Sequence, residues 1–369
     1  FVEIQSSLVY MKKRLLIKPT GYFNTGSSAI THMLTEIEGV ENSSGVYEMR
    51  ILFDPDCISD LEYNLIENPH RQNTSFALQR FKRYIDFNSC PIYNHHYEKL
   101  CDGNFKKISY DYLDGISDFR YYGACHLDAY LKGGFFWIIN RIYKKIVVSV
   151  FKYRYTSIIP VTLLKSQKQY AGTYSRDNFI NATREYIGKL LSYLNKKDLD
   201  ILMLDQLVPP TNVDRYLDYL PDSYTKKVII VDRDPRDLYV TSKMFLTSGT
   251  IPIDTPEHFV EWFKWTREQS KIQQDSDSIL RVQFEDMIYE YERTRTKIVE
   301  FCGLGNLLCQ KKKTIFKPDV SINNTQVWNR YPNIIADVEK IEKLLPEYCY
   351  DFESKKIKPD FINGKMFDC

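Results

Sequence analysis

GYFNTGSS, residues 21–28, decides how this chain is read. Gly21, four residues, Gly26 and then two serines reproduce the spacing G-x-x-x-x-G-K-[ST] of a phosphate-cradling loop, except that Ser27 stands where lysine belongs. Upstream, RLLIKPT (14–20) is a short apolar run ending in turn residues. Downstream, SAITHMLTEI (28–37) sets Ile30, Met33, Leu34 and Ile37 at helical spacing, so the segment reads strand, loop, helix. What remains without lysine is the backbone N–H groups of residues 24–28, the positive end of the following helix, and two hydroxyls. That set suits one phosphate or sulfate group; the blander reading is a glycine turn with no ligand.

Working outward, further strands are expected at SGVYEMRIL (44–52), DILMLDQL (200–207), KKVIIVDRD (226–234) and SILRVQFED (278–286). Helical patterns follow the last two, with Pro235 at a permitted first-turn position. Strands alternating with helices predict a three-layer α/β fold, a parallel sheet of about five strands flanked by helices. Residues 54–195, aromatic, basic and poor in strand signals, are expected to form a largely helical insertion. In such sheets ligands sit beyond the carboxyl ends of the strands, so the loops at 20–28, 47–50, 205–212 and 232–237 should share one crevice.

The chain has 369 residues, of which 43% are hydrophobic and 27% charged, the composition of an ordinary globular protein. Its net charge of +2 gives no field for nucleic-acid binding. The eight cysteines show no CxxC pair or metal-ligand spacing, so reduced thiols and no metal are expected. GGFFWIINRIYKKIVVSVF (133–151) is interrupted by Arg141, Lys144 and Lys145, which breaks the apolar run a membrane span requires. It is expected as a long helix packed as core on one side, with peripheral membrane contact as a second reading. Residues 1–16 lack a continuous apolar segment, so no secretory signal is expected. Met11 looks like a natural start, which makes residues 1–10 an expected expression remnant.

VIIVDRDPRDLYVTSK (228–243) carries a second site. Arg233 ends a buried strand, where its planar fork can hold another phosphate, and Thr241 can add a hydroxyl eight residues on. Arg236 and Asp237 are expected to serve helix-start electrostatics and an ion pair.

With these segments the chain resembles the sulfotransferases that use 3′-phosphoadenosine 5′-phosphosulfate. FNTGSSA (23–29) occupies the place of the family's P-K-x-G-T-T loop. RDPRDLYVTS (233–242) is similar to its R-[DN]-P-R-D-x-x-x-[ST] motif. RVQFEDMIYEYERTRTKIVEFCGL (281–304) resembles its YEDL segment and the helix ending FLGL, and SINNTQVWNRYPN (321–333) its late loop ending in tryptophan. The likeness covers about residues 14–52 and 200–350, and it implies a single sulfotransferase domain over 11–350 with an acceptor-binding insertion at 54–195. It assigns the donor to Asn24, Thr25, Gly26, Ser27, Ser28, Ala29, Arg233, Thr241, Ser242, Asn324 and Trp328, with adenosine 3′,5′-bisphosphate as product and no metal. Two lysines of the family are missing, one at Asn24 and one in the K-x-P pattern replaced by DQLVPPTN (205–212). Lys18, Arg80 and Arg83 are candidate substitutes.

Transfer of a sulfuryl group to a hydroxyl or amine needs a base for the acceptor's proton. Glu48 stands where some glycan sulfotransferases of the family carry a catalytic glutamate, and strand alternation would put Arg50 on the same side. His32, one turn after Ser28, is the rival, though a packing role suits it better. In TSFALQRFKRYIDF (74–87), Arg80 and Arg83 share a helical face with Phe76 and Phe87 that could bind an acidic sugar. The expectation is a cytoplasmic enzyme, at the inner face of a membrane if the 133–151 contact is used, acting on a glycan or glycolipid. The rivals are a P-loop kinase or triphosphatase, in which LDILMLD (199–205) would supply a magnesium-binding acid, and an inactive nucleotide-binding protein.

Overall fold

The computed structural model describes residues 13–45, 47–92, 96–124, 127–151, 160–172, 175–245, 249–271, 273–308 and 312–366. The expected remnant at 1–10 lies outside them.

Among the described residues seven strands form two sheets. The main sheet holds β1 (Arg14–Gly21), β2 (Glu41–Asn42), β5 (Ile201–Met203), β6 (Tyr224–Asp232) and β7 (Ile279–Gln283), all parallel, in the order β2-β5-β1-β6-β7. The order puts β1 in the middle, so the loop that leaves it opens at the centre of the sheet's carboxyl edge. A separate antiparallel ladder pairs β3 (Phe119–Gly123) with β4 (Gln167–Ala171). It lies within 54–195, the stretch expected to be largely helical and poor in strand signals.

The helices used below are α1 (Ser27–Thr35), α2 (Arg71–Ser89), α3 (Phe105–Gly115), α4 (Gly134–Phe151) and α5 (Arg176–Leu194). They are followed by α6 (Pro235–Phe245), α7 (Pro256–Lys271), α8 (Tyr291–Cys302) and α9 (Ile335–Leu344). Alternation along β1 sends Leu16 to one face and Ile17 to the other. Leu16, Leu202 and Val228 join Phe81, Phe105, Tyr112 and Tyr186 of α2, α3 and α5 in one core. Ile17, Met203 and Ile229 meet Ile30, Met33, Ile298 and Cys302 of α1 and α8 in a second. A smaller third core joins α6, α7 and α9. The architecture is therefore the expected three-layer α/β fold with a five-stranded parallel sheet.

Two expectations are corrected. The second strand is not 44–52 but the two residues Glu41–Asn42, after which Ser43 N still reaches Met203 O and Gly45, at φ +62°, turns the chain away. Glu48 is thus on a loop, held beside β5 by the Met49 N–H to Asp205 O bond of 3.3 Å. Helix α4 is not packed as core on one side: of its described side chains only Val147 is buried.

Candidate functional site

The loop after β1 is shaped by close approaches. The backbone is left-handed at Phe23 (φ 62°), Asn24 (φ 52°) and Gly26 (φ 94°). A side chain at Gly26 would also put its Cβ 2.6 Å from the Phe284 ring, so glycine is required there twice over. At Gly21 a Cβ would fall 2.1 Å from Thr25 Oγ1. The Thr25 hydroxyl donates to Val231 O (2.7 Å) and accepts from Tyr22 N (3.1 Å). Thr25 therefore ties the loop to β6, and its hydroxyl is spent on that tie instead of being offered to a ligand. Gly26 caps α1 without any side-chain partner for the first-turn amides, which leaves the positive helix end open.

Arg233 meets this loop directly. Its guanidinium donates to Asn24 O (3.2 Å), to Thr241 Oγ1 (3.4 Å) and to the Asn324 carbonyl, and it lies 5.2 Å over the Phe284 ring. Arg233 is 5% exposed, and its Nε has no partner, so a buried donor is left unmatched. Residues 21–29, Arg233, Thr241 and Asn324 line one cavity of about 800 Å³. Glu48, Arg50, Phe53, Asp205, Gln206 and Trp265 line the same space.

The wall adjoining the loop carries acids. Glu48 is exposed and 3.7 Å from Arg50 Nη1, while Arg50 Nε lies 2.9 Å from Asp54. Asp205, just past β5, accepts a hydrogen bond from Ser27. Its Oδ1 is buried without a partner, and burial pushes its carboxyl up to about 6, with the Glu48 charge adding to the shift and the Ser27 bond opposing it. Gln206 bridges the two layers: Thr20 Oγ1 donates to its Oε1 and its Nε2 donates to Ser27 Oγ, each at 3.2 Å. His32 also lines the cavity, half-buried, and burial lowers its pKa so that it stands neutral.

Several expected site residues lie elsewhere. Trp328 does not line the cavity; Arg236 sits 4.7 Å over its ring and 5.6 Å over Phe352. Ser242 is buried outside the cavity lining. Arg80 pairs with Asp56 (2.7 Å) and Arg83 with Asp128 (3.6 Å), both beside Phe76 and outside the cavity wall. Lys18 is fully buried in β1 with its Nζ unpartnered, and burial drives its pKa well down. None of the three candidate substitutes for the missing lysines reaches the site. Of the lining side chains, Arg50 and Arg233 carry permanent positive charge. The ion pair expected of Arg236 is made with Asp234 (2.7 Å) and Glu342, whereas Asp237 accepts from the backbone of Gln326 and Val327.

Asp205, Gln206, Phe284 and Trp265 were not assigned to the site from sequence. Asp205 and Gln206 lie in the 205–212 loop expected at the crevice, and Asp205 also stands out as the acid ending an apolar strand. Among the described residues no group of three or more His, Cys, Asp or Glu is arranged to hold a metal ion, and no helix is long and apolar enough to cross a membrane.

No protein-family model and no curated protein matches the chain. Among solved structures it is similar to the sulfotransferase STF1 from Mycobacterium tuberculosis H37Rv, with 13% identity over 90% of this chain and 76% of that one and a TM-score of 0.31. A likeness that low carries no argument, and the site is read from its own geometry.

Proposed function

We propose that the chain is a sulfotransferase that takes its sulfuryl group from 3′-phosphoadenosine 5′-phosphosulfate and passes it to a hydroxyl or amine of a carbohydrate acceptor. The observation that carries this reading is the common cavity: the open helix end at Gly26 and the guanidinium of Arg233 face one space of about 800 Å³. The donor set fits a nucleotide with two anionic ends. The first-turn amides and the Ser27 and Ser28 hydroxyls suit one, and Arg233, with its unmatched Nε and the neighbouring Thr241 hydroxyl, suits the other.

Such a donor, when bound, supplies an activated sulfuryl group for in-line displacement. Glu48, exposed on the cavity wall, takes the acceptor's proton, which is worth typically about 10²–10⁴ in rate. Arg50 orients that carboxylate. The loop amides and serine hydroxyls steady the leaving charge in place of the family's lysine. Trp265, 64% exposed, and Phe53 give the cavity aromatic faces on which a sugar ring can stack. The kinase reading is not favoured, because Ser27 leaves the loop without the cation a triphosphate needs.

Thermal unfolding with adenosine 3′,5′-bisphosphate tests the proposal. At about 100 Kd a ligand bound only to the native state adds about 2.7 kcal/mol of stability, whereas ATP with magnesium should add little. Arg233→Ala should erase the shift. Glu48→Gln should keep it and lose donor turnover against a panel of glycans. Stabilisation by ATP with magnesium but not by the bisphosphate would overturn the reading.

A further inference from the structure

Among the described residues, α4 carries a run of exposed apolar side chains away from the residues that line the cavity. At about 100° per residue, Phe135, Ile138, Ile139, Ile142, Ile146 and Val150 fall on one ridge of the helix. Each is between 40% and 79% exposed. One flank of the ridge is the side tied to the protein: Asn140 Oδ1 accepts from Leu163 N (2.7 Å) and Thr162 Oγ1 (3.0 Å), and Tyr143 donates to Pro160 O (3.0 Å). Val147 is buried on that side. On the other flank stand Lys145, bordering the ridge, and Arg141 behind it, with Lys144 on the side away from the ridge; all three are exposed, and Arg141 is stacked 5.1 Å over the exposed Trp137. The segment 134–151 contains no acidic residue.

An ordinary surface helix turns its apolar stripe inward, and this one turns it out beside a row of cations. We infer that α4 lies in the plane of an anionic lipid bilayer, its isoleucine ridge entering the acyl boundary and its cations meeting lipid phosphates. A helix with an apolar face of Phe and branched aliphatic residues and a polar face rich in Lys and Arg is the form that binds at this depth. The three cations interrupting the apolar run keep it from spanning. Charge also selects lipid over a second copy of the chain. A two-fold pairing lays the same patch on itself, so Arg141 and Lys145 would face their own kind with no acid on the helix to offset them. The inference stands independently of the reaction proposed above.

The test is co-sedimentation of the whole chain with vesicles of phosphatidylcholine alone or mixed with phosphatidylglycerol, alongside sedimentation velocity without lipid. The chain should pellet with the mixed vesicles, less so as salt rises. Replacing Lys144 and Lys145 by Gln should weaken binding roughly 25-fold, about fivefold for each cation. Ile142→Glu with Ile146→Glu should abolish binding and leave the melting temperature unchanged, as outward positions require. Vesicle binding that survives the double glutamate variant, a failure to bind mixed vesicles, or a dimer that the variant dissolves would each overturn the inference. A fall in the variant's melting temperature would do so too, since it would mean that the ridge is packed against the protein.

Discussion

Asp205 offers the sharpest check on the site's electrostatics. Its carboxyl is buried, one oxygen has no partner, Glu48 stands nearby, and Arg50 of the same wall is already engaged by Glu48 and Asp54. Its pKa in the folded chain is pushed up to about 6, against 3.8 for a free aspartate. The folded state therefore binds this proton more tightly than the unfolded state. Stability falls as pH rises from about 4 to about 6 and the loss is complete above that. A difference of about two units corresponds to about 3 kcal/mol. Asp205→Asn keeps the shape and an acceptor for Ser27 while removing the charge. It should match the parent at pH 4 and exceed it at pH 7.5 by up to about 3 kcal/mol, which for a chain of this length is about 4 °C in melting temperature. Melting curves of both proteins from pH 4 to 8 measure this directly. Parallel curves, or a variant weaker than the parent at pH 7.5, would refute the account of a carboxylate left without a counter-charge.

Gly26→Ala should cost about 1–2 kcal/mol for the left-handed backbone alone. The Phe284 contact should add to that and abolish stabilisation by the bisphosphate, read by the same melting assay. Arg236→Ala should destabilise by about 3–5 kcal/mol, because Asp234 would be left as a buried charge without its cation. Urea unfolding measures it, and a loss below 1 kcal/mol would mean that the backbone donors around Asp234 suffice.

The parts of the fold that local spacing controls were legible in the sequence. Gly21 and Gly26 announced the loop because their positions admit no Cβ, and β6 announced itself as an unbroken apolar run because both of its faces are covered. The segment 44–52 misled for a physical reason. Met49, Ile51 and Leu52 are buried, so the apolar pattern is real, but it records a loop pressed onto the core and not a ladder. Asp205 joins the site only because β5 pairs with β1 in a register that carries Leu204 N to Ile17 O and Gln206 N to Pro19 O. No pattern within either segment encodes that pairing. Arg80 and Arg83 lie outside the cavity, paired with Asp56 and Asp128, which their own helix gives no hint of.

The segment RDPRD at 233–237 shows what a motif match does and does not carry. Of its four charged residues only Arg233 lines the cavity. Asp234 is taken up by the Arg236 backbone and guanidinium and by Tyr350 N. Asp237 holds the amides of Gln326 and Val327, which sets the carbonyl of Asn324, two residues earlier, against Arg233. Glu285 accepts the Asp234 amide and is itself pushed well up by burial. Three buried acids thus surround two arginines, and the acids are spent on fixing backbone. The motif is a clamp that draws the late loop onto the end of β6, and the clamp in turn holds one guanidinium still. An anion in the cavity would meet an arginine already ordered by the Asn24 and Asn324 carbonyls, so little side-chain entropy remains to be lost on binding.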